Sequence, residues 1–223
     1  MRHHRLLLWL SIAASALYLL SLSWQPFAGS AIIASAIVKG CATAALAVIA
    51  WQARGVRRDA GLLTLGLALS AAGDVLLELD PKLFVFGLGA FLLAHCTYIG
   101  LFIRNRVRGV PGGVTRLAAV GAVVAFSAAL SAWIVPSVGG LAVPVVLYIC
   151  ALTAMVSTAI LAAFRQRWVA VGALLFLISD SLLAINRFKT PVPWRDFLVW
   201  STYYLGQCGI ALGYLESGAG PLA

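Results

Sequence analysis

Residues 61–79 read GLLTLGLALSAAGDVLLEL, an apolar run broken only by Thr64, Ser70, Asp74 and Glu78. At about 1.5 Å per residue a helix of this length is close to the ~30 Å of a bilayer's hydrocarbon core. A soluble protein has little use for such a helix. Comparable runs recur on both sides, and together they predict eight spans near 6–24, 29–51, 61–79, 84–103, 116–135, 140–164, 168–186 and 197–215. The chain of 223 residues is 62% hydrophobic and only 10% charged, a composition that cannot furnish the solvated surface of a soluble domain. The expected fold is an all-α polytopic bundle, one transmembrane domain over 1–223. Its connections are too short for a separate extramembrane domain, so any chemistry must sit among the helices.

The net charge of +9 would suggest nucleic acid in a soluble protein, but here the charges lie in short loops between apolar runs. No aromatic and basic binding surface accompanies them, and no nucleic-acid partner is expected. Eleven arginines fall on one side (Arg2, Arg5, Arg54, Arg57, Arg58, Arg104, Arg106, Arg108, Arg116, Arg165, Arg167) against Lys82, Arg187, Lys189 and Arg195 on the other. This asymmetry places both termini in the cytoplasm and the chain in a membrane such as the bacterial inner membrane. Arg2 to Arg5 with Ala14-Ser15-Ala16 also fits a cleaved signal peptide, but the apolar run continues through Leu22, which favours an uncleaved first helix.

An ionisable group near the bilayer centre costs roughly 3 kcal/mol or more, and usually faces the bundle interior or a wet cavity. Lys39, Asp74, His95 and Asp180 are such groups, at similar expected depths. Residues three or four apart share a helix face. On that spacing Ser35, Lys39 and Thr43 form one polar stripe, and Ser70, Asp74 and Glu78 a second. His95 pairs with Tyr98, Ser179 adjoins Asp180, and Tyr203, Tyr204 and Gln207 polarise the last span. Polar faces on five helices require a polar interior.

Not every polar residue is assigned a role there. Glu78, Asp80 and Asp196 lie near the outer boundary and are expected to be solvated. Tyr18, Tyr148 and most tryptophans, including Trp24, Trp51, Trp168 and Trp194, fit packing or the interfacial aromatic belt. His95 reads equally well as a packed core histidine. Cys41, Cys96, Cys150 and Cys208 all fall in apolar runs without metal-ligand spacing and are expected to be buried free thiols. With no GxSxG, HExxH or phosphate-cradling glycine loop, two intramembrane carboxyls are the chemistry that remains.

Gly73-Asp74-Val75-Leu76-Leu77 resembles Ser179-Asp180-Ser181-Leu182-Leu183 at an offset of 106 residues (180 − 74), and the same offset takes Tyr98 to Tyr204. Two four-helix halves, 1–105 and 106–223, would follow. An alternative function for the same intramembrane Asp, Lys and His residues is a proton- or ion-coupled carrier of a small or lipid-like solute.

At these positions the sequence resembles the YhhN-like family of membrane proteins, which includes the lysoplasmalogenases. The resemblance rests on Gly73-Asp74, Gly87, Phe91, Ala94, His95 and Tyr98 in the first half. In the second it rests on Gly172-Ala173, Phe176, Ser179-Asp180, Leu183, Ala184, Phe188, Tyr204 and Gln207. Family members tend to follow the span-two lysine with proline, where this sequence has Gly40. The resemblance implies a hydrolase that cleaves the vinyl-ether bond of a lysophospholipid within the membrane, needing no metal or other cofactor. Asp74 and Asp180 would be catalytic, one as general acid and the other as the carboxylate beside the developing cation. Lys39, His95, Tyr98, Ser179, Tyr204 and Gln207 would bind substrate or support them. Membrane lipids would be the other partners, and the oligomeric state is left open.

Overall fold

The structure, a computed structural model, describes residues 2–22, 30–106 and 113–217. Trp24 and Arg108 therefore lie outside the described residues. Eight α-helices occur among the described residues and no strand: α1 (Arg2–Ser21), α2 (Ser30–Gln52), α3 (Ala60–Leu79), α4 (Phe84–Arg104), α5 (Gly113–Ile134), α6 (Ala142–Leu161), α7 (Trp168–Phe188) and α8 (Arg195–Glu216). They stand where the eight spans are expected. A helix satisfies every backbone N–H and C=O internally, which is what hydrocarbon demands of a spanning segment. Six of them, α2 to α7, are long and apolar enough to cross a membrane on length and composition alone. The first helix adds a shorter apolar segment, and α8 is diluted by Arg195, Asp196, Gln207 and Glu216. The chain is an integral membrane helix bundle.

Helix ends are marked by local chemistry. Asp80 accepts a hydrogen bond from the Lys82 amide and, with Pro81 behind it, starts the short 3₁₀ turn that leads into α4. Arg116, at the start of α5, donates to the carbonyls of Ile160 and Ala162 at 3.1 and 2.8 Å, which answers the unpaired carbonyls where α6 ends. The Asn186 side chain accepts from the Val192 amide and shapes the connection to α8, which is entered through Trp194 at a left-handed φ of 58°.

The chain divides into two compact units, Met1–Tyr98 and Ile99–Ala223. In the first, α2 packs on α1 and α3. Ser11 donates to the Ala42 carbonyl at 2.6 Å, and Gly40 lets the Val75 side chain sit where a Cβ would otherwise lie, 2.6 Å away. Glycine at this position thus serves close helix packing. In the second unit α7 and α8 approach backbone to backbone: a Cβ on Gly172 would meet the Gly206 carbonyl oxygen at 2.5 Å and the Ile210 nitrogen at 2.7 Å. Small residues at a helix crossing are the usual device for tight packing in lipid.

Large apolar side chains remain exposed along the bundle, among them Trp9, Phe86, Leu117, Val143 and Leu147. In α5 only Val123, Ser127 and Ile134 are buried. These outward faces meet lipid. The cysteines follow the same logic and correct the expectation of buried thiols: Cys41, Cys96 and Cys150 are exposed and Cys208 is partly so. An apolar run shows that a helix lies in the membrane, but both of its faces are apolar, so it does not show which face is covered.

Candidate functional site

In the first unit the two polar stripes meet face to face. Thr43 on α2 donates to Asp74 on α3 at 2.7 Å, with both residues buried. One turn along α3, Glu78 accepts from Ser35 at 2.6 Å and from Lys39 at 3.2 Å, so the antiparallel helices match polar groups over two successive turns. Tyr18 of α1 adds its hydroxyl to Glu78 at 3.4 Å, and its ring lies 5.2 Å from the Lys39 nitrogen. Glu78 was expected to be a solvated boundary residue, and Tyr18 a packing or belt residue. The structure corrects both. Glu78 is only 23% exposed in its side chain and is held from two other helices, because Tyr18 and the long Lys39 side chain both reach it.

The third and fourth helices run antiparallel in a register set by glycines. Gly87 lies against Leu77, Phe91 against Gly73, and Tyr98 against Gly66. His95, fully buried, is therefore level with Leu69 and Ser70, about one turn from Asp74. Tyr98, also fully buried, packs on Gly66, about 12 Å from Asp74 along the helix axis. Of the expected residues in this unit, Lys39 and Asp74 are thus adjacent through the Thr43 and Glu78 contacts, while His95 and Tyr98 lie progressively further along.

In the second unit Asp180 on α7 accepts a hydrogen bond from the Tyr148 hydroxyl on α6. Tyr148 was expected to be explained by packing or the aromatic belt, and its bond to Asp180 corrects that. Ser179, next to Asp180, donates to the Val199 carbonyl at 2.9 Å and ties α7 to α8. On α8, Trp200 stacks on Tyr204 with centroids 5.9 Å apart, and Phe176 meets Tyr203 edge-on at 5.2 Å. Gln207 is fully buried one turn further. At the end of α7, Lys189 donates to Ser137 at 2.6 Å and lies over the Trp133 ring, while Arg195 pairs with Asp196 at 2.7 Å.

Chemically, each unit presents one intramembrane aspartate held by a hydroxyl donor from the preceding helix. Such a carboxyl can donate a proton, accept one, or face a developing cation. Among the described residues no group of three or more His, Cys, Asp or Glu side chains is placed to hold a metal ion. A groove of about 370 Å³ between α7 and α8, lined by Trp168, Gly172, Leu175, Leu205 and Gly209 among others, is largely apolar and contains neither aspartate.

No solved structure matches the chain. Among curated proteins, the lysoplasmalogenases of Mycobacterium bovis and Mycobacterium tuberculosis are each 38% identical over 193 residues, 83% of this chain and 74% of theirs. Human lysoplasmalogenase TMEM86A is 34% identical over 162 residues, 68% of this chain and 64% of its own length. Residues 34–214, which include both aspartates and all the supporting residues, match the YhhN family. With that match across most of its length, the chain belongs to the YhhN family.

Proposed function

We propose that the protein is an intramembrane hydrolase that cleaves the vinyl-ether bond of lysoplasmalogens to a fatty aldehyde and a glycerophospho-alcohol. The observation that carries this is the pair of hydroxyl-bonded aspartates inside apolar helices, in a chain similar over most of its length to proteins named lysoplasmalogenase. Vinyl ethers are hydrolysed by protonation at the carbon β to oxygen, which leaves an oxocarbenium ion. Water adds to the cation and loses a proton, and the hemiacetal collapses to aldehyde and alcohol. One carboxylic acid supplies the first proton, and one carboxylate faces the cation and takes the proton from water, as paired carboxyls do in glycosidases. Asp74 and Asp180 take these two roles. Neither a nucleophilic serine nor a metal is needed.

Lys39, His95, Tyr98, Tyr204 and Gln207 bind substrate or orient groups and water, and Ser179 steadies Asp180 by anchoring α7 to α8. A reaction site among the helices suits a substrate whose reactive bond lies at the head of an alkyl chain, since the tail can enter from lipid. The distribution of arginine and lysine supports a bacterial inner-membrane location with both termini in the cytoplasm.

Purified protein supplied with lysoplasmalogen should liberate aldehyde without any ion gradient. Asp74→Asn and Asp180→Asn should each abolish release while keeping a single size-exclusion peak and an unchanged helical spectrum. Full activity in either variant rejects the two-carboxyl mechanism. Absence of aldehyde from the unaltered protein, with gradient-driven solute uptake in vesicles, would favour the carrier.

A further inference from the structure

The groove between α7 and α8 takes no part in the reaction described above. Asp180 lies outside it, about 7 Å past Leu175 along α7. The floor of the groove is glycine. A Cβ on Gly209 would stand 2.9 Å from the Trp168 carbonyl oxygen and 3.0 Å from the Gly172 Cα, so the two backbones touch and the side chains beside them rise as walls. Trp168, Val171 and Leu205 on those walls are exposed, and the groove therefore opens outward to lipid.

Dimensions decide what fits. Along α8 the lining runs from Leu205 to Glu216, about 16 Å, close to the ~15 Å of one leaflet's hydrocarbon. A volume of about 370 Å³ over that length gives a cross-section of about 23 Å² (370/16). A helix about 10 Å across covers roughly 80 Å² and cannot enter. A single aliphatic chain, about 4–5 Å wide on carbon contact distances, can. Water finds few polar partners in so apolar a channel, and an empty one forfeits dispersion contacts along both helices.

One end of the groove is charged. Trp168 and Glu216 line it where α7 begins and α8 ends, and the exposed Arg165 and Arg167 stand just before α7. The first turn of α7 has no acidic residue and its N-cap makes no side-chain bond, so its amide N–H groups add to the positive side. Two guanidinium groups and a helix N-terminus outweigh the single Glu216 carboxylate. An anion belongs at that end, with an aliphatic chain in the groove behind it.

We infer that the α7–α8 groove binds a resident phospholipid: one acyl chain lies along Gly172 and Gly209, and the phosphate sits with Arg165 and Arg167 at the start of α7. Trp168 stands between the two, at the interfacial depth that tryptophan favours. This lipid is separate from the substrate, and its site does not depend on the hydrolase reading.

The test uses the purified full-length protein in dodecyl maltoside micelles, titrated with phosphatidylglycerol that carries a diazirine in mid-chain. After irradiation, adducts mapped by mass spectrometry should saturate, concentrate at Leu175, Leu205 and Cys208, and disappear when unlabelled phosphatidylglycerol is in excess. Diacylglycerol with the same chains, which lacks the phosphate, should label the groove about tenfold less. The phosphatidylglycerol probe should lose a similar factor on the Arg165→Gln, Arg167→Gln double variant. Leu205→Trp adds bulk at an exposed rim and should remove the groove adducts alone. Competition by unlabelled lipid needs no variant, and decides the matter even if that one fails to fold. Adducts spread evenly over outward residues such as Leu117 and Val143 would overturn the site. Equal labelling of the groove by both probes would overturn the phosphate anchor and with it the phospholipid assignment.

Discussion

Replacing Thr43 by valine removes one oxygen and leaves nearly the same volume, so the change tests a hydrogen bond without opening a cavity. That oxygen donates to Asp74 at 2.7 Å, with Thr43 wholly buried and Asp74 3% exposed. A hydrogen bond to a charged group contributes about 1.5–3 kcal/mol. Only interactions that are stronger in the transition state than in the ground state accelerate the step. If Asp74 is the acid, negative charge develops on it as the proton moves to carbon, and losing the donor should slow kcat by about 10- to 150-fold. If Asp74 is the carboxylate, it is charged throughout, and the loss falls to a few-fold. Tyr148→Phe applies the same test to Asp180, so the two variants should slow kcat unequally and thereby separate the acid from its partner. Thr43→Ser, which keeps the donor, should stay near the unaltered rate. Aldehyde release under saturating lysoplasmalogen measures all three. Equal effects of Thr43→Val and Tyr148→Phe, or rates within twofold of normal in both, would refute the reasoning.

Gly172→Ala drives a Cβ to within 2.5 Å of the Gly206 carbonyl oxygen, a backbone atom that cannot swing aside, and should cost about 1–3 kcal/mol in a denaturation titration of the purified protein. Gly121→Ala, with nothing within 4 Å of the new carbon, should leave the midpoint unchanged or slightly raised. Replacing Cys41, Cys96 and Cys150 together by alanine should leave both midpoint and aldehyde release unchanged, because these thiols lie on outward faces; a large loss would show that they are covered. Residues 1–105 and 106–223, expressed separately, should each insert and give a helical, monodisperse protein; precipitation of either half would count against independent four-helix units.

The helices were legible because lipid gives the backbone so few options, and the expected spans differ from the observed ones only near their ends. The stripe of Ser35, Lys39 and Thr43 was legible for a related reason: a polar face in an apolar helix must meet another polar face, and it meets Asp74 and Glu78. Depth misled for Glu78. Its place next to the end of α3 suggested water, but Ser35, Lys39 and Tyr18 reach it from two other helices, and Tyr18 is too far away in sequence to register on the same stripe. Its spacing of one turn from Asp74, which put it on the same stripe, was the truer signal. Tyr148 offers less. Its neighbours one turn either way, Pro144, Val145, Ala151 and Leu152, are all nonpolar, so no stripe pointed to its bond with Asp180.

The two aspartates share more than an offset. Asp74 on α3 accepts from a hydroxyl on α2, and Asp180 on α7 from a hydroxyl on α6. Shifting Thr43 by the same 106 residues leads to Ile149, one position past Tyr148, so the acceptor keeps the register and the donor does not. A step of one residue turns a side chain about 100° around its helix. The phenol, longer than the threonine side chain, reaches Asp180 from that displaced position. Duplication of a four-helix unit followed by exchange of the donor is the economical account we propose for this pattern. Two aspartates with different hydroxyl partners can take different protonation roles, which is what the proposed two-carboxyl reaction needs.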